Sequence, residues 1–318
     1  MADEWEMMVT VPGSTANLGP GFDSLGLAIN RYLRLRLTPA REWEVILRSD
    51  YLQGVESGED NLIVRVMRRA FEEAGADLPS FRLEVESELP LARGLGSSAA
   101  AIVAGLSAAN CLLGNRWSRK ELLQKATAWE GHPDNVGASL YGGFVVATWD
   151  GEKAEVIPLP SPPLTLVAAI PRTPLATAHA RNVLPKTLSH REAVLGSSRS
   201  NLLTAALLTG NWKSLATAME DRFHQPYRAA LVPGMEEVLS RAVDHGAFGA
   251  ALSGAGPTVI AFCEEPQEVS VFMRSVFEAN RLSVELWTLR PATEGASVQL
   301  TSVGNRSTFE RKTEGVKG

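Results

Sequence analysis

The sequence predicts an α+β fold in two lobes, and three of its features carry that expectation. Strand-like and helix-like segments are mixed through the first hundred residues without forming a clean strand–helix–strand series. Five prolines crowd the stretch IPLPSPPLTLVAAIP, a compositional break that sets a boundary near Pro160. Beyond the break, strands and helices alternate as they do where helices cover one face of an antiparallel sheet. A length of 318 residues allows two domains of ordinary size. The expected division is a first lobe at 1–160, a second at 161–305, and a flexible tail at 306–318 that ends in the basic RKTEGVKG.

The elements follow in order. YLRLRLTP and EWEVILRS alternate with period two and read as antiparallel strands with one wet face. NLIVRVMRRAFEEAG begins a helix at Asn61, lines up Leu62, Val66, Ala70 and Ala74, and stops at Gly75. FRLEVESELP is again a strand. The glycine-rich LPLARGLGSSAAAIVAG leads into an alanine-rich apolar helix. Ser118, three positions before Glu121, then opens another helix in the manner of a capping box, with Glu130 at its end. GHPDNVGASLYGGFVVATWD reads as a return to strand through its paired glycines. After the break come strand LTLVAAI, helices near Ser200–Leu208, Trp212–Met219 and Met235–His245, strands AFGAALSG and PTVIAFC, helix QEVSVFMRSVFEA and strand SVELWTLR.

Composition narrows the function. A hydrophobic fraction of 45% suffices for a real core, and a net charge of -5 offers no global field for a polyanion, which argues against a nucleic-acid partner. Cys111 and Cys263 lie in apolar surroundings without a CxxC pattern, so they read as reduced core thiols and point to a cytoplasmic compartment. The N-terminal MADEWEMM has acids where a signal peptide carries positive charge, and no run reaches the roughly 18 apolar residues of a membrane span.

Chemistry concentrates in four stretches. In ARGLGSSAAA, Gly94 and Gly96 let backbone N–H groups approach an anion at the start of a helix, and Ser97 and Ser98 can divide between phosphate and a divalent ion. The Lys-Ser/Thr ending of a Walker A loop is missing, and on spacing alone a phosphate cradle and a plain tight turn fit equally. PGSTANLGPGFDSLG holds Asn17 and Asp23 where core residues are scarce. EGHPDNVG gathers Glu130, His132, Asp134 and Asn135. LSGAGPTV is a second glycine-rich turn, either a site loop or a tight connection.

In their order along the chain, beginning with PGSTANLGPGFDSLG, these four stretches resemble the GHMP family of small-molecule kinases, and NLGPGFD, HPDNV, ARNVLP and HQPYR are similar to its members that act on an amino-acid alcohol. The likeness runs from about Val9 to beyond Ser302. It implies an N-terminal lobe like the second domain of ribosomal protein S5, a C-terminal ferredoxin-like lobe, and an active site between them. It further implies ATP as co-substrate, Mg2+ as cofactor, L-homoserine as the phosphorylated partner in threonine biosynthesis, and a homodimeric assembly. By this likeness Pro90, Leu91, Ala92, Arg93, Gly94, Leu95, Gly96, Ser97, Ser98, Ala99 and Ala100 wrap the ATP phosphates, Asn61 lies near the base, and Ser98 with Glu130 holds the metal. Arg181 and Arg228 would clamp the substrate carboxylate, Asp23 its ammonium, and Asn17 the reacting hydroxyl, with His132 and Asn135 on the pocket side. Asn17, Ser98, Glu130 and Arg181 are thus the expected catalytic residues. The resemblance implies no dedicated general base, and the role of Asp134 stays open. His179 and His224, beside the two arginines, read as structural. The alternative is a family member acting on mevalonate or a sugar, which lacks the zwitterion that calls for both kinds of charged partner.

Overall fold

β1 (Trp5–Asn17) and β2 (Gly21–Pro39) form the long antiparallel pair from which the first lobe is built, in a computed structural model that describes residues 5–302. The expected tail at 306–318, and the last residues of the expected second lobe, lie outside the described residues. Along the pair Met7 faces Leu37, Val9 faces Leu35 and Val11 faces Leu33, all buried, while Glu6 and Arg36 pair on the other face. This is the period-two alternation of YLRLRLTP made into a core face. Register shifts interrupt the pairing between Pro12 and Gly13 and between Ala16 and Asn17, as β-bulges do.

The chain continues through β3 (Glu44–Leu47), α1 (Leu62–Ala74), β4 (Phe81–Ser87), α2 (Ser97–Leu112), α3 (Arg119–Glu130), α4 (Pro133–Tyr141), β5 (Phe144–Trp149) and β6 (Ala154–Leu159). With β11 (Ser297–Ser302) these strands make a seven-stranded sheet in the order β11-β1-β2-β4-β3, and β5 pairs with the start of β2 and with β6. The last described strand therefore returns to the first lobe. Ser118 forms the expected capping box with Glu121, and Gly75 ends α1 in the left-handed conformation.

The second sheet runs β10 (Val284–Leu289), β7 (Thr165–Pro171), β9 (Val259–Cys263), β8 (Ala247–Leu252), all antiparallel. Numbered along the chain the order is four-one-three-two, with helices between the first and second strands and between the third and fourth, which is the ferredoxin-like arrangement. Those helices are α5 (Thr177–Asn182), α6 (His190–Thr209), α7 (Leu215–Ala218), α8 (Gln225–Arg228) and α9 (Met235–Arg241) on one side of the count and α10 (Pro266–Ala279) on the other.

Four expectations are corrected. Helices cover both faces of the second sheet, not one: Leu166, Ala168 and Ile170 of β7 join the core that includes α6 and α7, and Val167 and Ala169 join the core with α9 and α10. The continuous apolar runs of LTLVAAI and VIAFC are the signature of strands buried on both sides. β3 pairs with β4 in parallel, because α1 carries the chain back between them. Residues 133–141, read as a return to strand, form α4, which Pro133 opens at the first turn and Gly142 and Gly143 end. Finally α6 begins at His190, ten residues before the expected start, with Ser189 as its cap, and α5 precedes it.

Candidate active site

The two sheets meet at a cleft of about 340 Å3. Its floor is the loop from β4 to α2. Gly94 and Gly96 there adopt φ of 44° and 69°, and a Cβ would strike the Ser253 carbonyl oxygen at the first and the Ser14 hydroxyl at the second. Only glycine satisfies both the sign of φ and the space. Gly96 also stands in the cap position of α2 and offers no side chain, so the first amides of this 16-residue helix stay open toward the cleft.

The loop is tied to the second lobe. The Leu175 N–H donates to the Ala92 carbonyl (2.8 Å), and the Ser253 hydroxyl, Thr258 hydroxyl and Arg93 guanidinium donate to Gly94, Arg93 and Arg172 carbonyls respectively. Leu91, Ala92, Arg93, Gly94, Gly96, Ser97 and Ser98 line the cleft. Pro90, Leu95, Ala99 and Ala100 do not: they are buried, and the Ala100 N–H closes the first helical turn on the Gly96 carbonyl. Ala100 therefore has no amide to give an anion, a correction to the expected phosphate wrap.

The Ser98 hydroxyl donates to Glu130 Oε2 across 2.9 Å, joining the start of α2 to the end of α3. Burial pushes the Glu130 carboxyl up, against the pull of His132 and Ser98. Two hard oxygens at the mouth of an open helix suit a divalent cation that bridges phosphate oxygens. The nearby trio Asp23, His132 and Asp134 is different, since Asp23 is paired with Arg181, and His132 and Asp134 with each other. His132 Nδ1 lies 2.6 Å from Asp134 Oδ1, which also accepts the Asn135 N–H at 2.7 Å. Burial would lower the His132 imidazole, but Asp134, with Glu130 and Asp23, holds it up at about 9, so it is a cation at neutral pH. Ser14 donates to Asn135 Oδ1 at 2.9 Å and fixes the amide.

Opposite this wall, Asn17, Leu18 and Asp23 all take left-handed φ (70°, 49° and 53°), a conformation that Asn and Asp adopt readily and leucine only at a cost. Asn17 Oδ1 accepts the Asp23 N–H at 3.0 Å and its Nδ2 donates to the Gly254 carbonyl at 2.9 Å, so LSGAGPTV is part of the site. Arg181, from α5, holds Asp23 in a two-pronged pair of 2.9 and 2.7 Å. Arg228 is 1% exposed and donates only to the Ala180 and Gly254 carbonyls and to His224 Nδ1, each at 3.0 Å. Among the described residues no carboxylate reaches it within 4.0 Å.

At the far end, Leu33, Leu47, Leu52, Val55 and Leu62 make an apolar slot. Asn61 lies there, but its side chain already caps α1 by accepting from the Ile63 N–H (3.0 Å) and donates to the Glu56 carbonyl (2.7 Å). Sequence reasoning missed Phe22, which lines the cleft beside Asp23. An aromatic residue inside the glycine-rich GPGFD was the available signal. His224, read as structural, is wholly buried, with Nε2 donating to the Gly19 carbonyl at 2.8 Å, and its Nδ1 also accepts from Arg228.

A two-lobed fold with an open helix N-terminus and a charged pocket in one interlobe cleft suits a small-molecule phosphotransferase. Two family models match the chain, GHMP kinases N terminal domain at residues 61–143 and GHMP kinases C terminal at residues 203–280. The chain is 45% identical over 292 residues to the homoserine kinase of Halalkalibacterium halodurans, covering 91% of this chain and 94% of that one. It is 48% identical over 258 residues to that of Bacillus licheniformis, covering 81% and 84%. The crystal structure of homoserine kinase from Cytophaga hutchinsonii superposes with a TM-score of 0.82 at 31% identity, covering 92% of this chain and 97% of that one. The chain belongs to the GHMP kinase family, in its homoserine kinase branch.

Proposed function

We propose that this cleft moves the γ-phosphoryl group of ATP directly onto the side-chain hydroxyl of L-homoserine, giving O-phospho-L-homoserine and ADP, a step of threonine biosynthesis. The observation that carries the substrate is Arg228, a buried guanidinium that has no carboxylate within 4.0 Å among the described residues and faces a cleft shared with Asp23, Arg181 and the open start of α2. A buried cation of this kind is offset when a carboxylate arrives.

In this reading the substrate carboxylate bridges Arg228 and Arg181, and its ammonium takes the Asp23 oxygens that Arg181 now occupies. Asn17 then orients the hydroxyl, with the His132–Asp134–Asn135 wall closing the pocket on the other side. The amides at residues 97–99 hold the phosphates, with the purine in the leucine-lined slot. Ser98 and Glu130 would hold Mg2+, which when bound screens the phosphate charge and favours in-line transfer. Asp134 already accepts from His132 and Asn135, so it is poorly placed to take a proton. The hydroxyl proton passes to an oxygen of the transferred phosphoryl group as the bond to ADP breaks, which a loose transition state permits, and catalysis is positioning and electrostatics. Asn61 shapes the base slot, since both ends of its amide are engaged. The same reading has the protein working in the cytoplasm, for which the unpaired Cys111 and Cys263 fit a reducing compartment, and as a homodimer.

The test is ADP release by the purified protein with Mg-ATP and, separately, L-homoserine, L-serine, L-threonine, mevalonate and galactose. Turnover confined chiefly to L-homoserine is expected. A stronger response to mevalonate would keep the arginines and overturn the role of Asp23, and a stronger response to galactose would overturn the whole charged pocket.

A further inference from the structure

Both arginines of the pocket stand over one aromatic ring. The Arg181 guanidinium carbon lies 5.4 Å from the centre of the Phe22 ring and that of Arg228 lies 5.5 Å from it. The His224 ring, whose Nδ1 accepts from Arg228, stacks on Phe22 with centroids 5.2 Å apart at 26°. Two like charges held this close repel. Burial, and after it the field of Arg181, push Arg228 down to about 10. Asp23 relieves Arg181 by direct pairing; once a substrate ammonium takes Asp23, the one arriving carboxylate has to compensate both guanidiniums.

We propose that Phe22 is a positioning residue for L-homoserine, its ring setting the separation of Arg181 and Arg228 and its π electrons offsetting their repulsion, so that both can meet one carboxylate. Three observations carry this. The ring is half-buried and lines the cleft, so it faces substrate and is no ordinary core residue. It is joined through the backbone to Asp23, whose left-handed φ turns the carboxylate toward Arg181. And His224, anchored by the Gly19 carbonyl at one nitrogen and Arg228 at the other, fixes the ring and the guanidinium together. A cation over an aromatic face gains enough to change affinity by about two- to thirtyfold.

The proposal rests on reading Arg181 and Arg228 as the carboxylate clamp, and the experiment keeps the two apart. Phe22 is replaced by mono-, tri- and pentafluorophenylalanine, which keep the shape of the ring while removing its negative face step by step. The KM for L-homoserine is expected to rise along the series to a total of about three- to thirtyfold, with the KM for ATP and the unfolding temperature unchanged. Phe22→Trp is expected to keep a KM near that of the parent. Arg228→Lys is measured beside them. A raised L-homoserine KM in Arg228→Lys together with a flat fluorination series overturns the role of Phe22 alone. An unchanged KM in Arg228→Lys overturns the clamp, and the proposal with it.

Discussion

At the residue scale, the site depends on groups whose chemistry is set by neighbours from distant parts of the chain. Ser98 and Glu130 are 32 positions apart, yet hydrogen-bonded at 2.9 Å. If they hold the metal, Glu130→Gln keeps the shape and loses the charge. It should weaken the apparent affinity for Mg2+ by at least about 10–100-fold, the scale on which even supporting groups of a metal site act. A magnesium titration of initial rates at fixed ATP checks this, and an unaltered midpoint would remove Glu130 from the metal site. Asp23, Arg181 and Arg228 were singled out through the family resemblance, as the charged partners that a zwitterion needs. That Arg181 and Asp23 grip each other before any substrate arrives was not legible, since 158 positions separate them.

At the element scale, the loop before α2 works because its glycines cannot be replaced. Gly96→Ala forces a side chain into a left-handed φ of 69° and against Ser14. The expected cost is about 1–3 kcal/mol of stability together with a higher KM for ATP. Urea unfolding and steady-state kinetics check the pair of effects, and full stability with a normal KM would mean that the loop can relax around a Cβ. This element was readable from small residues ahead of an apolar run. α4 was not, because Gly137, Ala138 and Ser139 interrupt any apolar stripe and the glycine pair after them resembles a hairpin turn. Those small residues are buried between neighbouring elements, where close packing replaces amphipathic patterning.

At the scale of the whole molecule, two buried histidines with opposite shifts shape stability against pH. His132 is held up at about 9 from an ordinary 6.5, so the folded state keeps its proton after the unfolded chain loses it. Its contribution is complete below pH 6.5 and is lost as pH rises through 9. His224 is lowered, chiefly by burial, so its contribution is present above 6.5 and is lost as pH falls through its folded value. Together they place an optimum near pH 6.5. The urea midpoint, measured from pH 5 to 10, is expected to fall on both sides of it. His132→Gln should flatten the alkaline limb alone; an unchanged limb would show that His132 is not the group that titrates there.

The sequence by itself determined the α+β class, the glycine-rich loop at the start of an apolar helix, and the clusters of small and polar residues that mark the family. These are local properties: periodicity, turn chemistry and residue type are written within a few positions of each other. Tertiary structure alone decided which of them meet. It returned β11 to the first sheet, packed helices on both faces of the second, spent the Asn61 and Ala100 groups inside the fold, and set Phe22 beneath two arginines. The physical reason is that hydrogen bonds and charges act over a few ångströms of space, and the residues they join can lie 260 positions apart in the chain, as Asn30 and Arg290 do.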